Sequence, residues 1–168
     1  MLIIGEAEAD DPNRLPLTTK RKSPIPNTRR RPQPPALMAA AVRLHIEGRE
    51  GTRKLRSASS EYNCVGMLFS SRRAWIDTEH LRFILEEDDY KRIEPAAVQR
   101  GDVILYADGT GTTHVGLVWR HMPDVQNARW VTEVLSQWGS DGEYFHDAHD
   151  VPHFLGTPRE FWTDRVDL

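Results

Sequence analysis

The sequence predicts an α+β domain in which N-terminal helices pack on a small antiparallel sheet. Two observations carry this. Up to about residue 85, apolar residues recur at helical spacing. Beyond Pro95 they fall into short runs separated by glycine-containing turns, the pattern of a strand meander.

Before these elements, residues 1–35 read as a solvated, disordered tail. They hold seven prolines, at 12, 16, 24, 26, 32, 34 and 35, and two basic clusters, Lys20-Arg21-Lys22 and Arg29-Arg30-Arg31. Proline at this density blocks both helix and sheet ladders. Residues 36–168 are then the folded domain. Its first helix spans Ala36 to Ile46, with Leu37, Ala40, Ala41 and Leu44 on one face and Gly48 as the stop. A second begins at Asn63 or Cys64, capped by Asn63, with Val65, Leu68, Phe69, Trp75 and Ile76 turned inward. A third starts near Asp77 and buries Leu81, Ile84 and Leu85.

The meander follows. Asp102 to Ala107 is a strand, Asp108-Gly109-Thr110-Gly111 a turn, Thr113 to Arg120 the return strand, and Trp130 to Gln137 a third. The segment from Gln137 to His146, with Gly139 and Gly142, reads as a loop beside a cleft.

The totals narrow the function. The chain has 168 residues, the length of one domain, and 39% apolar content allows a packed core. A net charge of -3 argues against a protein whose whole surface binds nucleic acid or membrane, although the two basic clusters could touch nucleic acid or an acidic partner. A single cysteine excludes an internal disulfide framework and suits a reducing compartment. The N-terminus lacks the basic leader and long apolar core of a signal peptide, so a cytoplasmic location is expected, with export by a dedicated secretion system or cell lysis left open.

Cys64 is the candidate nucleophile. At a helix start it feels unpaired N–H groups and the positive end of the helix dipole, which favour thiolate. His114 is the candidate base, because an imidazole in an otherwise apolar strand needs a polar partner. Alternation sets His114, Gly116 and Val118 on one face and Val115, Leu117 and Trp119 on the other.

Three segments occur in a telling order: Tyr62-Asn63-Cys64-Val65-Gly66-Met67, then Gly101-Asp102 leading into Val103-Ile104-Leu105-Tyr106, then Thr113-His114-Val115-Gly116-Leu117-Val118. Together they resemble the nucleophile, Gly-Asp strand and His-Val-Gly strand segments of the NlpC and CHAP cysteine hydrolases. The resemblance covers roughly residues 55–140 and implies a papain-like fold, a Cys64 acyl-enzyme, His114 as general base and no cofactor. It also implies a third polar residue on the strand after His114, where Gln137 and Glu133 share a face and Ser136 takes the other. Tyr62, Asn63, Trp138 and His146 are expected to line the substrate cleft, with Tyr62 a candidate oxyanion donor. The expected substrate is a peptide, a peptidoglycan peptide or another acyl compound. Asn63 and Val65 depart from the family pattern, and Val65 alters the groove beside the nucleophile.

Two rivals stand beside this reading. One is a catalytically inactive papain-like binding module whose contact is the basic proline-rich tail. The other places a metal on His146, His149 and His153, but their spacing matches no zinc pattern, so no metal site is expected.

Overall fold

The computed structural model describes residues 12–30, 33, 34, 36 and 51–166. Apart from Ala36, the helix expected over 36–46 lies outside these residues.

One antiparallel sheet dominates the chain. Its strands are β1 (Arg53–Arg56), β2 (Lys91–Ile93), β3 (Val103–Asp108), β4 (Gly111–Asp124), β5 (Arg129–Gln137), β6 (Glu143–Asp147) and β7 (Thr157–Thr163). Their spatial order is β1-β6-β5-β4-β3-β7-β2, so β1 and β2 form the outer edges. The described residues contain two short α-helices, α1 (Cys64–Phe69) and α2 (Leu81–Glu87). None of the described helices is long and apolar enough to cross a membrane.

This corrects the expectation of a papain-like domain with helices packed on a small sheet. Seven strands, not three, make the scaffold. The expected turn and the strands around it are present, and β4 runs on to Asp124. The helix at Cys64 stops at Phe69 instead of reaching Ile76, because Ser71 and Arg72 take positive φ values of 52° and 66°. An L-residue there cannot continue a right-handed helix.

Each sheet face carries its own core. On one face, α1 and α2 bring Cys64, Val65, Leu81, Ile84 and Leu85 onto Val103, Leu105 and Val115. Tyr62 and Met67 extend this layer over Leu135 and Phe145. On the far face, Ile104, Tyr106, Val118, Val134, Trp138 and Tyr144 pack with Ala148, Val151 and Leu155. The layer is therefore helix, sheet, loop.

Residues 12–30 are not the solvated tail their prolines suggest. Ile25 is buried in the same cluster as Cys64, with Leu17 packed against it. Asn27 is buried, donating to the Leu15 and Ile25 carbonyls at 2.9 Å each. Thr28 and Trp75 exchange backbone hydrogen bonds of 2.9 and 2.8 Å. The first basic cluster meets the acidic end of α2: the Lys20 ammonium donates to the Asp88 carbonyl at 2.7 Å, and Arg21 pairs with Asp89 at 3.2 Å. Proline prevents regular ladders, but side chains and isolated bridges dock the segment without one.

Candidate active site

The sequence motif around Cys64 folds as a capped helix start. Asn63 Oδ1 accepts from the Gly66 N–H at 3.0 Å. The same oxygen accepts from the Ile76 N–H at 3.3 Å, and Asn63 Nδ2 donates to the Ile76 carbonyl at 2.7 Å. Asn63 thus caps α1 and ties it to the following loop, which leaves its amide unavailable as the expected substrate contact. Gly66 is required by the same packing: a Cβ there would overlap the Ala74 carbonyl oxygen.

Cys64 is the first residue of α1 and 5% exposed. The backbone N–H groups of Val115, Val65 and Cys64 itself favour thiolate. Burial outweighs them and pushes the thiol up to about 11.

Val115 sits where β4 has β3 on one side only. β4 pairs with β3 from Leu117 down to the turn, whereas its pairing with β5 begins at Leu117↔Leu135. Cys64 packs with Val115 on this stretch of β4, beside the end of β5 that pairs with β6 but not with β4.

His114 is fully buried, and its side chain leaves the opposite face. It lies directly across from Tyr106, a residue of the far-face core, with ring centroids 5.2 Å apart. Val115 packs with Leu105 in the core that holds Cys64. The alternation read from sequence is right, but α1 covers the Val115 face, so the expected Cys64–His114 pair is not formed here. Neither imidazole nitrogen of His114 has a hydrogen-bond partner. Burial, with a lesser electrostatic contribution from nearby His146, lowers its pKa to about 3 and keeps the ring neutral.

The candidates for orienting the imidazole divide the same way. Gln137 and Glu133 lie on the α1 face with Leu135. Gln137 is fully buried; its Nε2 donates to the Ser59 and Gly139 carbonyls at 3.2 and 3.0 Å, while its Oε1 has no partner. Glu133 pairs with Arg53 at 3.5 Å near β1, away from Val115 along β5. Ser136 is on the far face with His146, and its Oγ lies 2.8 Å from His146 Nε2. Because His146 Nδ1 faces the Asp147 carbonyl at 2.7 Å, Nδ1 carries the proton and Ser136 donates to Nε2.

Three expected cleft residues prove to be buried structural groups. Trp138 donates its indole N–H to Ser136 Oγ at 3.1 Å and packs on Tyr144 in the far-face core. His146 is 1% exposed beside it. Tyr62 donates its phenol to Glu143 Oε1 at 2.8 Å, so the hydroxyl is committed elsewhere than an oxyanion. His149 and His153 are exposed and do not join buried His146.

Sequence reasoning missed Glu143, a fully buried carboxylate. Arg72 holds it through Nε at 2.5 Å and Nη2 at 3.0 Å. The lone signal was Tyr144 and Phe145 following it in a segment otherwise read as loop. Asp102 of the Gly-Asp segment is likewise structural, accepting from the Gln99 N–H at 2.7 Å and from Arg165 Nη2 at 2.9 Å.

Comparison with protein-family models, curated proteins and solved structures returns no match.

Proposed function

We propose that the protein is a cysteine hydrolase that cleaves an amide or related acyl bond of a peptide-like substrate. Cys64 Sγ attacks the acyl carbon and its proton passes to His114. The C–N bond breaks as His114 returns that proton to the leaving amine. A water, deprotonated by His114, then hydrolyses the thioester and releases Cys64.

The observation that carries this reading is Gln137 Oε1, fully buried and without a partner on the α1 face. Continuing the β4–β5 register past Leu117↔Leu135 by two residues would set Gln137 opposite Val115, which shares a core cluster with Cys64. That register would bring an acceptor for an imidazole N–H toward the thiol, and the residue adjoining Val115 is the unpartnered His114. The mechanism requires His114 to be carried to the α1 face, where the three groups form a Cys–His–Gln set.

Intact-protein mass spectrometry with a panel of activated acyl donors tests the reading. One acyl group should add to the wild type and none to Cys64→Ala. An adduct that persists in Cys64→Ala, or no adduct with any donor, rejects it.

A second reading, a binding module without catalysis, is favoured by the placement of Cys64 and His114 on opposite faces and by the raised thiol pKa. Its contact surface would include the exposed Arg29 and Arg30, the latter stacked over Trp75 at 3.7 Å.

A further inference from the structure

Strand β4 carries one residue more than β3 at a single point. Tyr106 lies opposite His114 and Ala107 opposite Thr112, so Thr113 is the extra residue. In such a bulge, two residues face one on the partner strand. Thr113 and His114 both face Tyr106, which places both on the far side of the sheet.

The extra residue is held in place. Thr113 Oγ1 donates to the Leu155 carbonyl at 2.7 Å. Gly156 makes the seat possible: a Cβ there would come within 2.6 Å of Thr113 Oγ1 and 2.7 Å of the Ala107 carbonyl oxygen, and its φ is +82°. On its other side, this half of β4 has no β5 ladder to break, because pairing with β5 starts at Leu117.

We infer that Thr113 is a positioning residue whose hydroxyl decides which sheet face His114 occupies. With the hydroxyl on Leu155, the bulge sits at Thr113 and the imidazole faces Tyr106. When the bulge moves one residue, to His114, Tyr106 pairs with Thr113 and Ala107 stays with Thr112. Leu105 then faces both His114 and Val115, and the imidazole joins the α1 face. Only one ladder position changes, and a one-residue change of pairing is what transfers a side chain between faces. On the far face both imidazole nitrogens lack partners; on the α1 face they would have the Cys64 thiol and the unpartnered Gln137 Oε1 to pair with. That this placement serves catalysis rests on Cys64 being the nucleophile and His114 its base; the placement itself does not.

Thr113→Val keeps the branched shape and removes the hydroxyl; Thr113→Ser keeps the hydroxyl. Cross-strand NMR contacts report the β3–β4 pairing, and iodoacetamide alkylation at pH 7 reports the thiol. In Thr113→Val, contacts of Tyr106 should pass from position 114 to position 113, with alkylation of Cys64 about tenfold faster than in the wild type as the thiolate fraction rises. Adding His114→Gln should abolish the gain, and Thr113→Ser should behave as the wild type. If pairing and alkylation are unchanged in Thr113→Val while acyl donors still label Cys64, the inference falls and the hydrolase reading stands. If the pairing shifts but acyl donors never label Cys64, the hydrolase reading falls and the role of Thr113 in placing the imidazole stands.

Discussion

Arg72 closes on Glu143 with two guanidinium nitrogens, and the carboxylate it grips is sealed from solvent. Tyr62 and, at 3.7 Å, Arg56 complete the cage. Removing one partner of a buried ion pair strands the other charge, which costs about 3–5 kcal/mol. Arg72→Met should lower the urea-unfolding free energy by that order. The double variant Arg72→Met with Glu143→Gln should recover much of the loss, because no charge is left buried.

The proline-rich segment should prove part of the fold. Ile25→Ala empties a seat in the core around Cys64 and should cost about 2–5 kcal/mol, as truncations of buried isoleucine do. Lys20→Ala and Arg21→Ala touch exposed pairs with α2 and should each cost less than about 1 kcal/mol. Equal melting temperatures for Ile25→Ala and the wild type would show the segment to be undocked in solution.

The thiol makes a prediction at alkaline pH. Burial raises Cys64 from 9.0 to about 11, so the unfolded chain loses this proton first. The stability tied to the thiol is complete below about pH 9 and is lost as pH rises to about 11. Wild type should therefore destabilise more steeply than Cys64→Ala across that window, measured as urea midpoints. Parallel curves would place the sulfur in water.

At acid pH the imidazole acts with the opposite sign. His114 falls from 6.5 to about 3, so the unfolded chain binds the proton more readily. Its contribution is complete above about pH 6.5 and is lost progressively as pH falls toward 3. Urea midpoints from pH 7 to pH 4 should fall more steeply for wild type than for His114→Leu. Matching slopes would mean that the ring is solvated or already paired.

Much of the local structure was legible. Asn63 announced the start of α1, and the glycines of 108–111 announced the β3–β4 turn. The edge and later strands were not. β1 is short and wholly exposed, β6 hides its pattern behind Gly139 and Gly142, and β7 contains Pro158. Glu143 could not be foreseen as buried, because the arginine that permits it lies 71 residues away. The site shows the limit most sharply. Alternation correctly separated His114 from Val115, but periodicity within one strand carries no information on which face receives the helix. That choice belongs to the packing of α1, a tertiary matter.

The outer edges of the sheet are written almost entirely in cationic residues. β1 reads Arg-Lys-Leu-Arg and β2 reads Lys-Arg-Ile, and both are short. A sheet of seven strands ends in backbone donors and acceptors that could recruit another copy edge to edge. Here a second copy would have to bring like charges into register to do so, and the repulsion opposes that growth. The same sheet that builds two cores thus carries at its rims a guard against polymerising.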